Sequence, residues 1–399
     1  MRNRYTMHSM SDNAHPRLAS AVEWLRELVA YDTVPANSNI PLIAHVAERL
    51  KAEHGITGAQ RPGGDDKMSF YATVGPQTDG GIVLSGHTDV VDIIGQEWTL
   101  PPFSLSETED KLYARGSCDM KGFVACVLAM APVFAAAPLK KPVHFAFSRD
   151  EEIGCAGSED MIAMITDSGM KPAAAVIGEP TRMQIVSGHK TGLTVKTEFY
   201  GSAAHSSQPA NGVSAIAFAV RFASHLQKIE EEMRARADDA SPFSPSHGTI
   251  NVGKIAGGTA LNILAAQCVM EWHYRGMPEE DVNDFADSID EFLQNKLLPE
   301  MRAGGHPANI INSRLSSYPG LRPQDSPALS LVKELSPDAS EAVVSFGTEA
   351  GHFQCAGIPS AVIGPGDIEQ AHKPDEFIEI SQMAECLRFL DRLCGRLSA

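Results

Sequence analysis

Residues 81–91 read GIVLSGHTDVV, an apolar run opened by glycines and closed by a histidine, a threonine and an aspartate. A short apolar run bounded in this way has the size and composition of a buried strand. The chain repeats the pattern with LYARG at 112–116, PVHFAFS at 142–148 and AAAVIG at 173–178. Stretches of helical spacing lie before and between these runs, at 18–31 (LASAVEWLRELVAY), 41–53, 120–136 and 158–166. Strands alternating with helices predict an α/β fold: a mixed, mostly parallel sheet sandwiched by helices.

The texture changes after Glu179-Pro180-Thr181. TGLTVKTEFY at 191–200 and AQCVMEWHYR at 266–275 alternate like strands with one solvated face. Helical stretches at 212–236 and 279–297 lie among them. From about residue 340 the first texture returns, with apolar strands at 342–346 and 360–364 and a closing helix at 376–395. The expected organisation is a discontinuous catalytic domain, residues 1–182 and 296–399, interrupted by an inserted α+β lid and dimerisation domain at 183–295. Two lobes also suit 399 residues, because single cores stop growing near ~250–300 residues.

The chain carries 33 Lys and Arg against 50 Asp and Glu, a net charge of −17, and neither lobe is basic. A nucleic-acid partner needs a clustered basic face and an anionic membrane surface repels such a chain, so neither is expected. No stretch approaches the ~20 apolar residues of a spanning helix, and the segment from Met1 to Pro16 has no apolar signal core. Seven cysteines, at 118, 126, 155, 268, 355, 386 and 394, form no CxxC pair and no close framework. They read as reduced, mostly buried thiols of a cytoplasmic protein.

The informative residues follow the apolar runs. They are His87-Thr88-Asp89, then Asp119, then Arg149-Asp150-Glu151-Glu152, then Glu179, and finally His372 after SAVIGPGDIEQA. In open α/β sheets ligands sit beyond the carboxyl ends of strands, so five strand ends would converge on one crevice. Carboxylates gathered there repel one another unless cations neutralise them. Histidine and carboxylate ligands without thiolates suit zinc, with manganese or cobalt as alternatives, and a shared carboxylate would bridge two ions. Asp89, two residues along a strand from His87, would fix the imidazole tautomer. Taken singly each residue reads as a strand end or a helix cap, Asp119 above all; taken together they favour metal. The nucleophile elbow, phosphate loop, dinucleotide fingerprint and H-E-x-x-H helix are all missing. Cys118 beside Asp119 has no histidine next to it in sequence to activate it.

In this order SGHTDVV, ARGSCDMKG, SRDEEIGCAGSEDM and IGEPT resemble the co-catalytic zinc deacylase and exopeptidase family. That family includes acetylornithine deacetylases, succinyl-diaminopimelate desuccinylases and aminoacylases. The resemblance runs from about residue 18 to the end, and residues 98–123, 204–216 and 346–377 look most like the acetylornithine deacetylase branch. It implies that His87 and Glu179 hold one metal, Glu152 and His372 a second, and that Asp119 bridges them. It also implies that Asp89 backs His87 and that Glu151 is the general acid/base. His205 of GSAAHSSQP would polarise the substrate carbonyl across a dimer interface, and Asn262 and Arg275 would grip a substrate carboxylate.

The implied reaction is hydrolysis of the acetyl amide of N2-acetyl-L-ornithine, serving arginine biosynthesis, with Glu151 deprotonating a metal-bridging water. Two divalent ions, zinc or cobalt, are the expected cofactors, and a homodimer is expected. Arg275 offers a two-pronged fork to the α-carboxylate, supported by Asn262 and the Thr348 region, while Glu349 would face the distal ammonium. A deacylase for acetylcitrulline, succinyl-diaminopimelate or another N-acyl amino acid, a dipeptidase, and an inactive binding relative remain as alternatives, as does a serine or cysteine hydrolase.

Overall fold

The computed structural model describes residues 15–64 and 66–399. The first fourteen residues, including most of the polar Met1–Pro16 segment, therefore lie outside the described part. The chain divides into two compact units. One takes residues up to Val186 together with Asp325–Glu341 and Ala356–Ala399, and the other takes Ser187–Gln324 and Ala342–Cys355.

An eight-stranded sheet has the spatial order Gly58–Gly63, Lys67–Val74, Val143–Ser148, Ile82–His87, Ala174–Ile177, Ser360–Val362, Ile185–His189, Glu341–Val344. Val143–Ser148, Ile82–His87, Ala174–Ile177 and Ser360–Val362 run parallel to one another, whereas Lys67–Val74 pairs antiparallel with Val143–Ser148 and Ile185–His189 pairs antiparallel with Ser360–Val362. The α/β fold class with a mostly parallel centre is the one the sequence leads to. Ile82–His87, Val143–Ser148 and Ala174–Ile177 are buried at every position, as expected of parallel strands covered on both faces. The helix Lys121–Ala136 is apolar all round and buried along most of its length. It packs against Leu18–Val29, Ile380–Ser398 and the central strands, so no solvated stripe is needed. Truncating a core side chain here, such as Leu84→Ala, should cost about 2–5 kcal/mol.

LYARG departs from its expected place. Only Lys111–Tyr113 is extended, and it pairs with Phe377–Glu379 and Ser106–Glu107 in a small separate sheet. Asp119 therefore reaches the site through a turn, not from a strand of the main sheet.

The second unit has a four-stranded antiparallel sheet in the order Thr249–Gly257, Gln267–Gly276, Thr191–Tyr200, Asn309–Tyr318. Thr191–Tyr200 and Gln267–Gly276 bury alternate residues. Leu193, Val195, Phe199, Met270 and Trp272 pack there against Phe222 and Leu226 of the helix Ala215–Ala235. Ser214 caps that helix by accepting the Ala217 N–H, and Asp281 caps Val282–Phe292 through Asn283 N–H. This unit runs past residue 295 because Asn309–Tyr318 is its fourth strand.

All seven cysteines are free thiols, and Cys355 alone is exposed. Among the described residues no helix is long and apolar enough to cross a membrane.

Candidate metal centre

Parallel pairing sets the carboxyl ends of three strands side by side. His87 ends Ile82–His87 and is in register with Ser148, after which come Asp150, Glu151 and Glu152. Glu179 follows Ala174–Ile177 by two residues. Asp119 stands two residues before the helix Lys121–Ala136, yet that helix has no side-chain cap. The capping role open to Asp119 from sequence is therefore unused, and its carboxylate is directed elsewhere.

Asp119 lies between two histidines. Its Oδ1 is 3.0 Å from His87 Nε2 and its Oδ2 is 3.2 Å from His372 Nε2. His372 Nε2 is also 3.2 Å from Glu152 Oε2. Two groups of possible metal ligands result, His87-Asp119-Glu179 and Asp119-Glu152-His372, each with its ligand atoms within 4.8 Å of one another. Asp119 belongs to both, which is the arrangement of a carboxylate shared by two ions.

The hydrogen bonding fits cations at this place. His87 Nδ1 is 3.0 Å from the Asp89 main-chain carbonyl. A carbonyl only accepts, so Nδ1 carries a hydrogen, and in the neutral ring Nε2 presents its lone pair towards Asp119. A lone pair facing a carboxylate is repulsive unless a proton or a cation lies between them. The buried Oε1 atoms of Glu152 and Glu179 also have no hydrogen-bond partner, a state that is costly for an anionic oxygen without a cation.

The titration behaviour of the side chains gives the same picture. Burial and the Asp119 carboxylate raise Glu179 well above the carboxylate range. Burial, opposed by His87 and reinforced by Glu152, Asp119 and Asp89, pushes Glu151 up to about 8. Burial and Asp119 bring Glu152 to about 7. Hydrogen bonds to Asp119 and Glu152 raise His372 to about 10. Despite burial, bonds to His372 and His87 hold Asp119 below its ordinary value. Carboxylates are crowded here beyond what protons on two histidines relieve, a donor set that divalent ions suit.

Asp89 sits differently from the expected strand geometry. The strand ends at His87, so Asp89 is not a facing i+2 residue, and its Oδ1 is 3.5 Å from His87 Nδ1. Its carboxylate instead accepts the main-chain N–H groups of Glu151 and Glu152, both at 3.0 Å. One buried anion thus fixes the turn that carries both glutamates. The same turn includes Asp150 at φ +52°, which is paired with Lys67 at 3.2 Å and Arg149 at 2.9 Å. Cys155 donates its thiol to Glu151 Oε1 at 3.2 Å.

The other five candidates belong to the second unit. His205 is exposed and lies beside the Asn262 segment: His205 bridges to Ile263, and Ser206 N–H donates to the Asn262 carbonyl at 2.9 Å. Ser207 N–H donates to His205 Nδ1 at 3.2 Å, which makes Nδ1 an acceptor and leaves the hydrogen of the neutral ring on Nε2. Arg275 Nη1 is 3.3 Å from Tyr318 Oη and 3.2 Å from the Ser345 carbonyl. Thr348 and Glu349 are buried just beyond, and Thr348 Oγ1 accepts the Ala350 N–H.

Sequence reading passed over Cys155, Arg115 and Glu376. The available signal was position: Cys155 and Glu376 each stand four residues after a proposed active residue, and Arg115 four before Asp119. Buried charges so placed rarely lack a partner.

Residues 83–396 match the family model described as Peptidase family M20/M25/M40. Acetylornithine deacetylase of Proteus mirabilis (strain HI4320) is 32% identical over 373 residues, covering 92% of this chain and 93% of that protein. The structure of an M20 family metallo-carboxypeptidase from Sulfolobus solfataricus superposes with a TM-score of 0.75 at 19% identity, covering 95% of this chain and 99% of that one. A dinuclear metal binding peptidase of the M20 family from Bacillus subtilis gives 0.60 at 15% identity, covering 95% and 97%.

Proposed function

The chain belongs to the peptidase family M20/M25/M40 and is a metal-dependent hydrolase of amide bonds, and from that premise we propose that it removes the acetyl group from N2-acetyl-L-ornithine, giving L-ornithine and acetate for arginine biosynthesis. The observation that carries the chemistry is Asp119, with one oxygen towards each of His87 and His372. The choice of substrate is supported by the 32% identity with an acetylornithine deacetylase across nine-tenths of both chains.

His87, Asp119 and Glu179 would hold one divalent ion, and Asp119, Glu152 and His372 the other, with zinc or cobalt suiting the nitrogen and oxygen donors. When bound, such ions neutralise the carboxylates, make water acidic near neutral pH and polarise the acetyl carbonyl. Glu151 takes the proton of the attacking water, whose oxygen bonds to the acetyl carbon. It then delivers that proton to the α-nitrogen as the carbon–nitrogen bond breaks. The Asp89 bonds to its main chain and the Cys155 thiol on Oε1 limit the positions Glu151 can take.

In the second unit His205 offers an Nε2–H to the developing oxyanion. One such donor is typically worth ~100–1,000-fold in turnover. Arg275 and Asn262 bind the α-carboxylate, with Thr348 alongside, and Glu349 meets the distal ammonium. His205 acts from the partner subunit of a homodimer. Support for pairing through this unit comes from the strand Thr249–Gly257, an exposed sheet edge. Exposed Ile216, Val220, Ile255 and Leu261 lie on or near it. Seven free thiols support a reducing, cytoplasmic setting.

The test is a panel of N-acyl amino acids assayed with added zinc or cobalt. Preferred release of acetate from N2-acetyl-L-ornithine, absent in Glu151→Ala, is expected. Stronger turnover of acetylcitrulline, a succinyl amine or a dipeptide would reassign the substrate, and activity surviving in Glu151→Ala would remove the mechanism.

A further inference from the structure

His372 and His87 are held in different ways. His87 ends a fully buried strand. His372 lies between the short turn Ile368–Gln370 and the strand Phe377–Glu379, at φ +64°, with its side chain 52% exposed. A non-glycine residue in the left-handed region costs about 1–2 kcal/mol and stays there only where its surroundings determine it.

Those surroundings form one connected path. Glu376 is buried, and its Oε1 accepts the main-chain N–H of Cys118 at 2.9 Å and of Asp119 at 3.1 Å. Its Oε2 lies 2.6 Å from Nη1 of the equally buried Arg115. Nη2 of Arg115 donates to the side-chain carbonyl of Gln96, which also accepts the Trp98 indole N–H at 3.1 Å. Gln96 Nε2 then donates to the main-chain carbonyl of His372 at 3.0 Å. Just beyond, Asp375 accepts Thr99 N–H at 2.9 Å and Leu100 N–H at 3.1 Å. The segment 96–100 thus clamps the loop that presents His372.

We propose that Glu376, Arg115 and Gln96 are positioning residues that fix His372 relative to Asp119, and that the affinity of the second cation site depends on them. The proposal rests on the two-cation reading above. Only a planar guanidinium can meet Glu376 and Gln96 at once in this way. Among the described residues Gln96 hydrogen-bonds His372, Arg115 and Trp98 and makes no hydrogen bond to His87, Asp119 or Glu179, so its loss should reach the second site alone.

Gln96 is only half-buried, so its variants should fold. Gln96→Ala removes the link, whereas Gln96→Glu keeps an acceptor for Arg115 and Trp98 but cannot donate to the His372 carbonyl. Chelator-treated protein is titrated calorimetrically with cobalt. The wild type should take up two ions. Both variants should bind one as the wild type does and the other ~10–100-fold more weakly, with kcat recovering in excess cobalt. Unchanged second-site binding in either variant, equal weakening of both sites, or a kcat that excess cobalt does not restore would overturn the proposal. A wild type that takes up fewer than two cobalt ions would instead overturn the two-cation reading beneath it.

Discussion

Replacing Asp89 by asparagine keeps the size of the side chain and removes one acceptor. In the wild type both carboxylate oxygens are used, one for Glu151 N–H and one for Glu152 N–H, each at 3.0 Å in a buried position. An asparagine can accept one of these bonds, but its NH2 then faces the other N–H donor. Losing one hydrogen bond to a buried charge costs about 1.5–3 kcal/mol, and that should be the drop in unfolding free energy. The functional loss should be larger than a stability effect alone explains, because the turn carries both the proposed proton carrier and a proposed metal ligand. Displacing a catalytic group by ~1 Å can cost ~100-fold, and loss of support behind a ligand costs ~10–100-fold in metal affinity. The expected result is a kcat lowered ~100-fold under saturating cobalt, with KM within a few-fold of wild type. Initial-rate kinetics on N2-acetyl-L-ornithine, paired with denaturant unfolding, reads both quantities. A variant that loses the predicted stability but keeps kcat within twofold would refute the claim that Asp89 positions this turn.

Three further outcomes follow from the same geometry. Glu151→Gln should lower turnover ~100–10,000-fold while metal analysis still finds two ions per chain, since Glu151 is in neither ligand group. Chelation should lower the melting temperature, because each ion bound at 100 times its Kd contributes about 2.7 kcal/mol, and zinc or cobalt should restore it; no change in calorimetry would argue against a built site. Arg275→Lys should raise KM at least tenfold with a smaller change in kcat, as the two-pronged contact is lost; a lowered kcat at unchanged KM would point to another role.

Much of the centre was legible because its residues follow apolar runs in sequence. Parallel pairing is what brings His87, Glu151, Glu152 and Glu179 to one edge, and the alternation of strands with helices announces that pairing. Asp119 and His372 were legible as residue types but not as placements. Asp119 comes off a turn after a three-residue strand in another sheet, and His372 sits on a loop ten residues past Val362. What holds them was not readable, because Arg115 and Glu376 are 261 positions apart and Gln96 and His372 are 276 apart. The extent of the second unit was obscured for another reason. NIINSRLSSY at 309–318 is largely polar and exposed, so it lacks strand-like alternation and is recognised only by its pairing with Thr191–Tyr200. The seven thiols read as packing, and for Cys155 that reading omitted a bond to Glu151.

The central claim is that one carboxylate serves two ions, and cobalt titration of Asp119→Asn beside Glu179→Gln and Glu152→Gln tests it most directly. Glu179→Gln should weaken one site and Glu152→Gln the other, while Asp119→Asn weakens both. Asp119→Asn protein that still binds two ions with wild-type affinity, or that loses only one, would contradict the account.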